Sequence, residues 1–136
     1  MPPQRPNLIV IVIDCLRSDR LFSPGRTCRT PHIDRLIERG TSFPSVFVEN
    51  SMTAPSFASL FTGRYAGNHG VKRMIGVRLR DEAATLAEIF AANGYQTYAE
   101  VTGPLTPLLG LCRGLFPITA FAVSATPFSP IGAAIF

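Results

Sequence analysis

"LIVIVIDCLRSDR", residues 8–20, runs through six aliphatic residues without a polar interruption and stops on an acid. With Asn7 in front, residues 7–13 have the pattern of a strand buried on both faces, as in a parallel sheet. Asp14 is the first residue past that strand. In open parallel sheets ligands bind beyond the carboxyl ends of the strands, so the Asp14 carboxylate is expected on the binding rim. A carboxylate there is a natural hard ligand for a divalent cation. The same position also suits a residue that merely caps the following turn, and the two readings stand side by side.

Outward from that strand the chain alternates between strand-like and helix-like stretches. "TPHIDRLIERG" (30–40) carries helix punctuation: Thr30 as N-cap, Pro31 at the first helical position, Ile33, Leu36 and Ile37 on one face, and Gly40 as the stop. "TSFPSVFVEN" (41–50) reads as extended, with Pro44 making it an edge or interrupted strand. A short helix fits "PSFASLFTG" (55–63). "EAATLAEIFAA" (82–92) predicts an amphipathic helix with Leu86, Ile89 and Phe90 inward, ended by Asn93-Gly94. "YQTYAEVT" (95–102) is the next expected strand. Strands alternating with helices predict an α/β fold with a mainly parallel sheet flanked by helices.

The second informative stretch is "SMTAPSFASLFTGRY" (51–65). Pro55 suits a first helical turn, which puts Thr53 just before or at the N-cap. Free backbone N–H groups and the positive end of the helix dipole would then surround its hydroxyl and favour an anion. A threonine hydroxyl is a weak nucleophile until its pKa is lowered, and a metal held by Asp14 would do that without a histidine base. A plain N-cap is the alternative role for Thr53. Arg64, just after "FTG", is the candidate cation for orienting the nucleophile helix or a substrate anion; Lys72 ranks behind it. His69 reads as a loop histidine bonded to backbone or as a group near an anion. His32 is expected on a helix surface, and Asp19 in a structural role within its loop.

Composition narrows the classes. The 136 residues are 46% hydrophobic, enough for a core in one domain of ordinary size. The formal charge of +4 is spread thinly: residues 1–100 hold all nine acids and twelve of the thirteen bases, a net of +3. Without a Lys/Arg block or interleaved aromatics, nucleic acid is not an expected partner. Three cysteines (Cys15, Cys28, Cys112), with no C-x-x-C, argue against a disulfide framework and a structural zinc site. No signal peptide or membrane span is read, so a cytoplasmic location is expected. From Val101 onward the only charged residue is Arg113, and prolines recur at 104, 107, 117, 127 and 130. "GLFPITAFAVSATPFSPIGAAIF" offers no alternation that places a strand or helix. Residues 1–111 are therefore read as one organised unit, and 112–136 as an atypical low-charge tail from a truncated or out-of-frame product.

Taken in order, "PNLIVIVIDCLRSDRL", "TPHIDRLIERGTSFPSVFVENSMTAPSFASLFTGRYAGNHGV" and "TLAEIFAANGYQTY" resemble the N-terminal part of the sulfatase family, in the alkaline phosphatase superfamily. The resemblance runs from about Pro6 to Gly110. It implies the N-terminal portion of an alkaline-phosphatase-like α/β domain, with a divalent metal (Ca, Mn, Zn or Mg) at the strand rim. It also implies hydrolysis of sulfate or phosphate esters through a covalent intermediate. By the match Asp14 is a metal ligand, and Thr53 is both nucleophile and metal-bound; no organic cofactor site is implied. The implied partner is a small-molecule, glycan or lipid ester.

Departures from the pattern shape the expectation. Sulfatases carry Cys or Ser where Thr53 stands and Arg where Phe57 stands, because formylglycine formation needs both. Threonine cannot give that aldehyde, so the resemblance turns toward threonine-nucleophile phosphodiesterase and phosphoglycerol-transferase branches. Cys15 replaces a second aspartate, and "AEVTGPLTP" stands where a Lys and a His are usual. The family's later Asp and His ligands lie beyond this length, so the rival expectation is an inactive fragment or pseudoenzyme without them.

Overall fold

The first strand forms where the aliphatic run predicts it, but it is shorter. In a computed structural model that describes residues 5–100, 110–114 and 131–135, β1 is Asn7–Ile11. It pairs in parallel with β2, Ile131–Ile135, in the register Asn7↔Ile131 to Ile11↔Ile135. β2 lies inside the stretch whose sequence offers no placeable element. Five aliphatic or small residues, "IGAAI", suffice once a partner strand supplies the hydrogen bonds.

The described residues divide into two compact units: residues up to Phe47 together with β2, and the residues from Val48 onward. In the first unit α1 (Asp19–Phe22) is a single turn and α2 (Pro31–Arg39) is the helix predicted from its punctuation. Thr30 is the N-cap and Gly40 the C-cap, as expected. The Thr30 hydroxyl, however, donates to Asp34 Oδ1 at 3.0 Å and accepts from Arg26 Nη1 at 2.8 Å, and makes no capping bond to a backbone N–H. Arg26 Nη2 lies 2.6 Å from Asp34 Oδ2 and holds that carboxyl below its ordinary range.

None of residues 5–47 is fully buried. Leu8 and Ile11 of β1 stay about half exposed, which corrects the expectation of a strand covered on both faces. The pairing partner on one edge orders the backbone without enclosing the side chains. Ile33 and Ile37 of α2 are half-buried, whereas Leu36 is exposed. The stretch 41–50 forms no strand: Pro44 has no N–H for a ladder, and Val46, Phe47 and Val48 are all exposed, so no face is selected.

The second unit holds the core. α3 (Thr53–Thr62), α4 (Ala66–His69) and α5 (Leu86–Ala92) enclose Ala54, Ala58, Val71, Leu79, Ala83 and Leu111, with Phe57, Met74 and Val77 packed against them. α5 starts four residues later than the amphipathic pattern predicts. Thr85 is its N-cap: its hydroxyl accepts from the Glu88 N–H at 3.2 Å, while Glu88 Oε2 accepts from the Thr85 N–H at 2.8 Å, a capping box. Ile89 is exposed rather than inward; Leu86 and Phe90 are half-buried. Residues 95–100 alternate in burial as an extended segment but form only an isolated bridge at Ala99, and 101–102 lie outside the described residues.

Residues 110–114, which straddle the boundary read at 111, belong to this core. Leu111 is buried, and Arg113 donates to the carbonyls of Asp81 and Ala83. The Thr85 hydroxyl donates to the Arg113 carbonyl at 2.9 Å. Gly114, at φ +78, passes so close to α5 that a Cβ would sit 2.4 Å from Glu88 N.

Candidate active site

α3 begins at Thr53 itself, with Met52 as N-cap, which moves Thr53 from the predicted cap to the first helical position. The Pro at position 55 then falls inside the first turn, where it has no intrahelical donor to lose. Ala54, Pro55 and Ala58 face the core, so small side chains let the helix lie close against its neighbours. At its N-terminus the Ala54 N–H points to Met74 Sδ at 3.4 Å, and the Met52 N–H is taken by Asn50 Oδ1 at 2.9 Å. Among the described residues the Thr53 hydroxyl and its own N–H have no hydrogen-bond partner. The hydroxyl of half-buried Thr53 therefore stands free beside its own unfilled N–H, a setting that suits an anion.

Arg64 sits at the other end. Gly63 closes α3 in the left-handed conformation, and Arg64 follows it, exposed, with its N–H bonded to Thr62 Oγ1 at 3.3 Å. Ten helical residues rise about 15 Å, so α3 holds Thr53 and Arg64 apart rather than together. Lys72 is exposed as well.

Asp14 lies in the first unit, three residues past the end of β1, in a turn closed by the Leu16 N–H to the Ile13 carbonyl at 3.4 Å. Its carboxylate is exposed and makes no hydrogen bond or ion pair with the described residues. Cys15 beside it has φ +58, a left-handed conformation that costs a non-glycine residue about 1 kcal/mol. Asp19 accepts both Arg17 donors, at 2.8 and 2.9 Å, the structural role expected of it. His32 is exposed on the first turn of α2. A free carboxylate and a free hydroxyl have the hard-donor chemistry a divalent cation needs. Yet no three His, Cys, Asp or Glu side chains among the described residues gather to hold one, so no closed metal site is formed by them.

His69 proves to be a buried hub. It has no exposed surface; its Nδ1 accepts the Val71 N–H at 3.1 Å, and its Nε2 lies 3.0 Å from Ser59 Oγ. Ser59 also donates to Glu49 Oε2 at 2.5 Å, and Glu49 Oε1 accepts the Ala66 N–H at 2.8 Å. Burial pushes the imidazolium down from its ordinary range, with the Glu49 carboxylate partly opposing. The donors from Ser59 and Ala66 hold the Glu49 carboxyl down as well. Sequence reasoning reaches only the backbone bond of His69. The available signal was Glu49, the only acid between Glu38 and Asp81.

The profile of the Sulfatase family matches residues 6–107, and the chain belongs to that family. It is 32% identical over 96 residues to an ulvan-active sulfatase of Formosa agariphila, covering 70% of this chain and 19% of that protein. A solved 2-O GAG sulfatase superposes with a TM-score of 0.71 at 24% identity, over 95% of this chain and 28% of the other. The phosphonate monoester hydrolase of Agrobacterium radiobacter gives 0.66 at 30% identity, over 85% and 25%. The chain thus spans about a fifth to a quarter of the length of these relatives. No helix among the described residues is long and apolar enough to cross a membrane.

Proposed function

We propose that this chain is the nucleophile-bearing N-terminal segment of a metal-dependent hydrolase of sulfate or phosphate esters, with Thr53 as attacking group. The observation that carries the reading is the free Thr53 hydroxyl at the first position of α3, beside its own unfilled N–H, in a chain of the sulfatase family. The Thr53 oxygen attacks the sulfur or phosphorus, the ester alcohol departs with a proton, and water then hydrolyses the threonyl ester. The free Thr53 N–H and the positive end of the α3 dipole stabilise the charge on the anion. Asp14 and Thr53 are each hard oxygen donors of the kind a divalent cation takes, and such a cation when bound lowers the pKa of a hydroxyl. Further donors have to come from outside the described residues.

Threonine favours phosphorus esters, since it cannot be oxidised to the aldehyde that a formylglycine sulfatase uses. The similarity to a phosphonate monoester hydrolase supports the same choice. The similarity to an ulvan-active sulfatase supports an anionic glycan as the alternative substrate. Aryl sulfate, phosphate monoester and phosphodiester substrates, each with Mn²⁺, Zn²⁺ or Ca²⁺, distinguish them. Thr53→Ala is expected to lower turnover by at least about 10³-fold. Peptide mapping after an acid quench is expected to find the covalent adduct on Thr53. Full turnover by Thr53→Ala excludes it as nucleophile.

A further inference from the structure

The buried face of α3 is made of Ala54, Pro55 and Ala58, with the half-buried Phe57 packed against the core beside them, and none of these side chains makes a directional hydrogen bond. Direction comes from its Ser59. The Ser59 hydroxyl is gripped from two sides, by Glu49 from the segment before α3 and by His69 from the end of α4. Each partner is itself tied to backbone: Glu49 to the first N–H of α4, and His69 to the N–H of Val71. Because Nδ1 of His69 accepts that N–H, it carries no proton, and the ring proton resides on Nε2 and is donated to Ser59. Ser59 in turn passes its own proton toward Glu49. Every donor and acceptor at this junction is used once, in one direction.

We propose that Glu49, Ser59 and His69 form a positioning network that fixes α3, and with it Thr53 at the N-terminus, and that the network works only with His69 as the neutral Nε2–H tautomer. The link to Thr53 rests on the function proposed above. None of the three residues touches Thr53: Ser59 lies six residues further on, about 9 Å along the axis and on another side of the helix. A hydrogen-bonded helix transmits a displacement at one end to the other, and a shift of about 1 Å at a nucleophile costs up to about 10²-fold in rate.

The network also sets a direction for pH. A second proton on His69 has to go to Nδ1, where it meets the Val71 N–H head-on and turns an acceptor into a donor. The charged group that faces the ring is Glu49, across Ser59, while Arg80 holds the His69 carbonyl through its backbone N–H at 2.9 Å and its side chain packs over Gly70. Glu49 favours the added proton and burial opposes it. Acid therefore breaks the junction at the Val71 side first.

The experiment uses the full chain, wild type and the variants S59A, H69A and H69Q. Long-range ¹⁵N–¹H spectra are expected to show His69 with Nε2 protonated and Nδ1 bare; a protonated Nδ1 at neutral pH overturns the proposal. Hydrogen exchange of the Phe57 to Leu60 amides is expected to speed up by about tenfold in S59A and H69A, while α5 amides stay unchanged. Glutamine places an uncharged donor near the Nε2 position, so H69Q should regain α3 protection and lose its acid sensitivity. With whichever ester the wild type turns over, S59A should lose about 10- to 100-fold in kcat with KM within about threefold. H69Q should restore kcat and remove the acid limb of its pH profile. Altered α3 exchange with unchanged kcat overturns the link to Thr53, and unaltered exchange in S59A overturns the network itself. A wild type inactive on every ester defeats the proposed function instead, and the exchange and tautomer measurements still decide whether the network fixes α3.

Discussion

At the scale of single residues, His69 shows how one imidazole ties helix placement to pH. Its folded pKa is depressed by burial, so between the folded and unfolded values the unfolded chain binds more protons than the folded one. Stability is then fully present above the ordinary histidine value of about 6.5 and falls as pH drops below it. The slope this one group adds cannot exceed about 1.4 kcal/mol per pH unit. Glu49 acts in the same direction at lower pH: its carboxyl is held down by its donors, so its contribution is lost as pH falls through the carboxylate range. Urea unfolding at pH 7.5, 6.5 and 5.5 is expected to give a declining series in wild type and a flatter one in H69Q. Equal slopes in the two proteins would assign the acid sensitivity to other groups. Cys15 offers a second check, because glycine adopts φ +58 without strain. Cys15→Gly is expected to leave stability unchanged or raise it by up to about 1 kcal/mol, measured by the same urea titration.

At the scale of elements, the junction between α5 and residues 111–114 makes the sharpest demand on sequence. Thr85→Ala removes the capping box and the bond to the Arg113 carbonyl, and is expected to cost about 1–2 kcal/mol. Gly114→Ala places a methyl against the backbone of Ala87 and Glu88 at a positive φ, and should cost more, about 2–3 kcal/mol. A Gly114→Ala chain that unfolds at the wild-type urea midpoint would show that this packing is absent in solution. These contacts also mark where sequence reading succeeds and fails. α2 was legible because Thr30, Pro31 and Gly40 act on their own neighbours, and α3 because Pro55 and Gly63 do the same. Asp14 was expected directly after the strand because an acid ends the aliphatic run, but β1 stops at Ile11, three residues earlier. β2 was not legible, since Ile131–Ile135 becomes a strand through a partner 124 residues away, at Asn7–Ile11. The stretch 41–50 failed the other way, with strand-like composition but no ladder to join. The Glu49–Ser59–His69 network was invisible because burial and the meeting of three segments, not spacing, give His69 its role.

At the scale of the molecule, apolar surface is distributed unevenly. The second unit buries a core of alanines, one valine and two leucines, while Phe43, Val46, Phe47 and Val48 lie 69 to 95% exposed within six residues. Large apolar side chains left in water favour association. Phe47, at 95% exposure, adds almost nothing to the fold, since exchanging an exposed ring for a small polar group alters neither core volume nor a hydrogen bond. Phe47→Ser is therefore expected to change unfolding free energy by less than about 0.5 kcal/mol. Its effect should appear in self-association: in sedimentation velocity, the concentration at which oligomers of the wild type appear should rise several-fold in the variant. A stability loss above about 1 kcal/mol would instead show that Phe47 is packed in the folded chain, and that residues 43–48 belong to its core rather than its surface.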